Sequence, residues 1–149
     1  MNNKSKLHAP LGETEKQRHC LEESLRIYTE LYELSKDNID YAQMRAAAEG
    51  NLGSVIIATG DFDTGIAMVE NASNLLARLY AKNPEKTTLA IFYGNMQNNI
   101  AHYQSEKNDL ANADASYGKA IATFQTLSKR TQATIEQKGF CSLQKLATP

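Results

Sequence analysis

The run Asn95-Met96-Gln97-Asn98-Asn99, with His102 one turn further on, carries the residues best suited to non-covalent recognition. Asparagine amides both donate and accept hydrogen bonds, so a row of them can grip a peptide backbone whatever its side chains. On a helix, Asn95, Asn98, Asn99 and His102 fall within one broad face beside Met96 and Ile100. Asn51 is the counterpart of Asn99 in an earlier copy of the same pattern, with Ser54 one turn beyond it. These six residues are the candidate binding set. The plainer alternative is that they are solvated helix positions, or amides that bond a neighbouring helix. His102 could make such a grip depend on pH, although a neutral, hydrogen-bonded histidine is the plainer reading.

Covalent chemistry has no comparable set. Gly50-Asn51-Leu52-Gly53 lies mid-helix and lacks the lysine of a phosphate-binding loop. There is no H-E-x-x-H and no G-x-S-x-G. His8, His19 and His102 are scattered, and consecutive Glu22 and Glu23 point to different faces of a helix. Cys20 and Cys141 form no C-x-x-C, so the expectation is two small buried thiols on helices and no zinc. No catalytic residue, metal or cofactor is expected.

The elements that position the candidate residues are helices. Leu21, Leu25, Tyr28, Leu31 and Leu34 recur at steps of three and four, which predicts a helix over 13–36. A second is predicted over 39–59, with Tyr41, Met44, Ala48, Leu52, Val55 and Ile56 as its apolar stripe and small residues Ala46, Ala47, Ala48 and Gly53 allowing close approach by a neighbour. Gly60 ends it as a C-terminal glycine, and Asp61 caps the next helix, 62–82. Asn83-Pro84 closes that helix. Further helices are expected over 85–106, 110–129 and 132–146, about six in all; the apolar stripe of 110–129 runs through Leu110, Ala113, Tyr117, Ala120, Ile121, Phe124 and Leu127, and that of 132–146 through Ile135, Phe140, Leu143 and Leu146. Residues 1–12, with Pro10 and Gly12, read as an irregular start. The aromatic residues, among them Tyr28, Tyr41, Phe92, Tyr103, Tyr117 and Phe124, fall on the apolar stripes and read as core.

The pattern repeats. The step from Leu31 to Leu79 equals that from Leu79 to Leu127, and the same step joins Tyr28, Leu76 and Phe124, and Ser24, Ala72 and Ala120. The turn Gly60-Asp61-Phe62 returns as Asn108-Asp109-Leu110, and faintly precedes itself as Gly12-Glu13. A helix pair recurring at a period of roughly 48 residues predicts a solenoid, each pair burying its apolar face on the next. Asn51-Leu52-Gly53, Gly60-Asp61-Phe62-Asp63 and Ala72, echoed by Asn99-Ile100-Ala101, Asp109-Leu110, Tyr117 and Ala120, resemble the tetratricopeptide repeat. The resemblance covers 13–130. It departs from the family in its longer period and in a single displaced Pro84. It implies an all-α, right-handed superhelical array of antiparallel helix pairs: 13–36 as the second helix of repeat one, 39–82 as repeat two, 85–129 as repeat three, and 131–149 as a capping helix and tail. In that family first-helix asparagines hold peptides on the concave face, which the resemblance carries onto Asn51 and Asn99. The family's lysine-based carboxylate clamp is not expected, because the lysines are missing.

Sixteen basic and seventeen acidic residues leave a net charge of −1, which argues against a nucleic-acid partner, and the mildly basic tail does not change this. No apolar run is long enough to span a membrane, and the polar start has no apolar signal core, so a cytoplasmic location is expected. The expected function is a non-enzymatic protein- or peptide-binding scaffold. The alternative is a regulatory or self-association segment of a larger multi-repeat protein. Helix 13–36 lacks a first-helix partner, so unless residues 1–11 fold over its face, either more repeats or a second copy of the chain should cover it.

Overall fold

The computed structural model describes the backbone of residues 11–146 and the side chains of residues 12–138. The expectations for residues 1–10 and for Phe140, Cys141, Leu143 and the side chain of Leu146 lie outside the described residues. The described chain is all-α, with five helices: α1 (Leu11–Leu34), α2 (Ile39–Ala58), α3 (Phe62–Lys82), α4 (Thr87–Glu106) and α5 (Leu110–Leu146). It divides into two compact units, Met1–Leu79 and Tyr80–Pro149.

In the first unit α1 packs on α2. Asn38 starts α2: its side-chain oxygen accepts from the Asp40 and Tyr41 amides at 3.0 and 3.2 Å, satisfying donors that have no partner inside the helix. Ala42, Ala46, Ala47, Ala48, Leu52, Val55, Ile56 and Ile57 are all buried, so α2 is covered on most of its circumference. Met44 departs from the expected stripe and is 37% exposed, and Cys20 of α1 is exposed instead of buried.

The corner after α2 follows the sequence closely. Gly60 has φ +106°, the left-handed conformation that ends helices. Its amide donates to the Ile57 carbonyl at 3.0 Å, and that of Asp61 to Ile56 at 3.2 Å. The Asp61 carboxylate then accepts from the Thr64 amide at 3.2 Å, which caps α3. Beyond the corner, α2 and α3 meet backbone to backbone. A Cβ at Gly53 would stand 2.7 Å from the Gly65 carbonyl oxygen; one at Gly65 would stand 2.6 Å from the Gly53 carbonyl oxygen and 2.9 Å from the Ile57 nitrogen. Val69, Ala72, Ser73 and Leu76 continue the buried face of α3.

In the second unit α4 packs on α5. The corner recurs one period later with different chemistry. Asn108 takes φ +61° in place of Gly60. The Asn108 amide donates to Ser105 at 3.0 Å and that of Asp109 to Gln104 at 2.9 Å, in the same register as the bonds to Ile57 and Ile56. Gly53 and Gly65 are replaced by Ala101 and Ala113, both buried. The Phe124 ring lies over Gly94, where a Cβ would stand 2.6 Å from its tip.

Two expectations are corrected here. There are five helices among the described residues instead of about six, because α5 runs unbroken through the break expected near residue 130. Ser128-Lys129-Arg130-Thr131-Gln132 holds no glycine or proline. The Thr126, Thr131 and Thr134 hydroxyls donate back to the carbonyls of Ala122, Leu127 and Arg130 at 2.9, 3.0 and 2.9 Å, so these residues fit the helix. Arg130 donates to the Pro84 carbonyl, which ties this part of α5 to the turn before α4. The buried face of α5 is also rotated from the one expected. It is made by Ala113, Ser116, Ala120 and Thr123, while Leu110, Ile121 and Ile135 are exposed. Small residues let α5 sit close, and the two hydroxyls are satisfied: Ser116 donates to Gln104 Oε1 at 2.9 Å and Thr123 to the Lys119 carbonyl at 2.8 Å.

Replacing either glycine of the α2–α3 crossing puts a methyl group into backbone atoms that cannot rotate away. Gly65→Ala should destabilise the fold by about 1–3 kcal/mol in urea unfolding, despite a gain in helix propensity of up to about 1 kcal/mol. An unchanged midpoint would mean that the crossing is looser than described. Gly60→Ala should cost about 1 kcal/mol through its left-handed φ alone.

Candidate functional site

The six candidate residues divide between the two units. In the second, α4 buries Leu89, Ala90, Met96, Ile100 and Ala101. That orientation leaves Asn95, Asn98 and His102 exposed and Asn99 half-buried on one face, as the helical wheel predicts. Among the described residues no hydrogen bond engages the side chains of Asn95, Asn98 or Asn99. His102 Nε2 lies 3.7 Å from Glu106 Oε1, and its ring sits 5.9 Å from that of Tyr103. In the first unit Asn51 is exposed on α2, and Ser54 is half-buried with its hydroxyl donating to the Gly50 carbonyl at 3.1 Å. Ser54 is therefore already engaged by its own helix. The row can hold a partner by hydrogen bonds, and it presents no nucleophile or proton-transfer pair.

On the face of α2 away from Asn51 and Ser54, the first unit holds a polar cavity of about 380 Å³. Its lining is Tyr32 of α1, Arg45 and Glu49 of α2, and Asn71, Asn74, Leu75 and Arg78 of α3. Arg45 and Glu49 lie one turn apart on one face of their helix. The Arg45 guanidinium carbon sits 5.5 Å from the centre of the Tyr32 ring, a cation–π contact. Its Nε is buried without a hydrogen-bond partner. Burial pushes the Glu49 carboxyl above its ordinary range, and the positive charge of Arg45 opposes that shift.

Sequence reasoning missed this group. Its members come from three helices at irregular separations, and each alone reads as a solvated charge or amide. The one usable signal was Arg45 directly before the small, apolar run Ala46–Ala48. The other charged residues of α1 behave as a wet surface: Arg18 pairs with Glu22 at 2.9 Å, and Arg26 with Glu23 and Glu30 at 3.1 and 2.8 Å. Such exposed pairs contribute little. Glu22 and Glu23 bond different arginines, as their consecutive positions require.

Among the described residues, no group of three or more His, Cys, Asp or Glu stands close enough to hold a metal ion. No helix among them is long and apolar enough to cross a membrane.

A carboxyl whose folded pKa is raised binds its proton more tightly in the fold than in the open chain. Its charge therefore opposes folding above that pKa, and the penalty vanishes as pH falls below the ordinary carboxylate range. The neutral variant Glu49→Gln should accordingly be more stable to urea at pH 7, by on the order of a few tenths of a kcal/mol given its partial access to water. At pH 4 the difference should shrink. A gain that is the same at both pH values would assign the effect to packing.

Comparison with protein-family models, with curated proteins and with solved structures finds no match to this chain.

Proposed function

We propose that this chain is a non-enzymatic binding module of tetratricopeptide type, in which the helix pairs stack as a right-handed superhelical array and a protein or peptide docks on the asparagine-bearing faces. The observation that carries the reading is the α4 face. Asn95, Asn98 and His102 are exposed beside a buried apolar stripe, and the two amides are uncommitted. The two corners, with hydrogen bonds matching in register one period apart, support a repeat origin. Asn51 and Ser54 of α2 belong to the same proposal as the equivalent position of the preceding repeat. Affinity would come from amide bonds to the partner's backbone together with burial of its apolar side chains. The compartment that fits this reading is the cytoplasm.

The test is capture from a lysate of the source cell, comparing the wild type with a folded Asn51→Ala/Asn98→Ala/Asn99→Ala variant. A partner held by the wild type and lost by the variant supports the reading. Equal capture by both would leave the amides as solvated surface.

A second reading, self-association as part of a larger regulatory assembly, is favoured by α1. None of its described residues is fully buried, and Ile27 and Leu34 are 45% and 85% exposed. If a second copy covers this face, light scattering should show a mass that rises with concentration, and Leu34→Asp should abolish the rise. A mass constant at the monomer value would rule the dimer out.

A further inference from the structure

We propose that the cavity lined by α1, α2 and α3 is a binding site for a singly charged carboxylate, held between Arg45 and Arg78. Four observations carry this. Two guanidiniums line one cavity of about 380 Å³, a size at the low end of small-ligand sites. The Nε of Arg45 is buried and unpartnered, so this guanidinium has lost water there without gaining a protein partner. A guanidinium offers its donors as a planar fork that matches the two oxygens of a carboxylate. The Tyr32 ring contacts the Arg45 guanidinium, so the fork is steered before any ligand arrives. Asn71 and Asn74 supply amides for the ligand's other polar atoms, and Leu75 and the Tyr32 ring supply its apolar contact.

Glu49 sets the charge. With two arginines and one glutamate in the lining, the cavity has a single excess positive charge. A monoanion neutralises it, whereas a dianion such as phosphate would meet the Glu49 carboxylate. The ligand is therefore a carboxylate in preference to a phosphate. It could be a free small organic acid or the acidic side chain of a peptide. Arg45 and Glu49 face away from Asn51 and Ser54, so the proposal stands or falls independently of the asparagine row.

The test is an NMR titration of the full-length ¹⁵N-labelled chain at pH 7, following the Nε–H signals of Arg45 and Arg78. The probes are butyrate, N-acetyl-glutamate methylamide and phosphate, with chloride at matched ionic strength as the control. Butyrate or the blocked glutamate should shift both signals along a saturating curve. Arg45→Lys and Arg78→Lys keep the charge but lose the fork, and each should raise the dissociation constant about ten-fold. Glu49→Gln should strengthen phosphate binding more than butyrate binding. The tighter of the two carboxylate probes identifies the source, and either order supports the site. Chloride shifts equal to those of butyrate would overturn the proposal, as would phosphate binding the wild type more tightly than either carboxylate. Arg78 is exposed, so Arg78→Lys should fold whatever happens to Arg45→Lys, and unchanged affinity in that variant would also overturn it.

Discussion

The first unit depends on one contact, the crossing of α2 and α3 at Gly53 and Gly65. Neither residue has room for a Cβ, because each backbone occupies the space where the other's methyl group would be. With the axes that close, neighbouring side chains interdigitate instead of meeting end to end. Val69, Ala72 and Leu76 become fully buried, and a buried Leu or Val side chain contributes about 1.5–3 kcal/mol. The same closeness fixes the rotation of α3 about its axis. That rotation brings Asn71, Asn74, Leu75 and Arg78 to one cavity with Arg45 and Glu49. The polar site is thus a by-product of the apolar crossing.

The second unit keeps the corner and relaxes the crossing. Ala101 and Ala113 stand where Gly53 and Gly65 would recur, so the axes cannot approach to the same distance. A phenylalanine takes up part of the difference: Phe124 lies over Gly94 and remains 37% exposed. The corner tolerates change because its hydrogen bonds are made by the backbone. Asparagine can occupy the left-handed position that Gly60 takes, since its short polar side chain makes that conformation accessible. A sequence repeat can therefore fade while the turn it encodes persists.

Much of this architecture was legible in the residues. The helix period, the terminal glycine at Gly60, the cap at Asp61, the small-residue crossing at Gly53 and the stop at Asn83-Pro84 each rest on a local rule, and each occurs in the structure. The buried face of α5 was misjudged for a definite reason. Ser116 and Thr123 are polar by type, and only their partners, Gln104 and the Lys119 carbonyl, allow them inside. The helix end expected near residue 130 failed because no residue there disfavours a helix. The exposed face of α4 followed from periodicity alone. The Arg45 cavity did not, because it joins three helices, and no rule of spacing along one chain relates Tyr32, Arg45 and Arg78.

The unbroken α5 has a consequence for how this protein loses structure. Residues 131–138 are all exposed, so this stretch gains nothing from a core. Its support is the backbone ladder and local links such as Gln132 to Glu136 at 2.8 Å. A helix end of that kind can unwind turn by turn without disturbing the packing of α4 on the earlier part of α5. Its amide protons will exchange with deuterium through these small openings long before those near Ala113 and Ala120, which wait for a much larger one. Arg130, bonded to the Pro84 carbonyl, marks where the fast-exchanging part of α5 should give way to the slow.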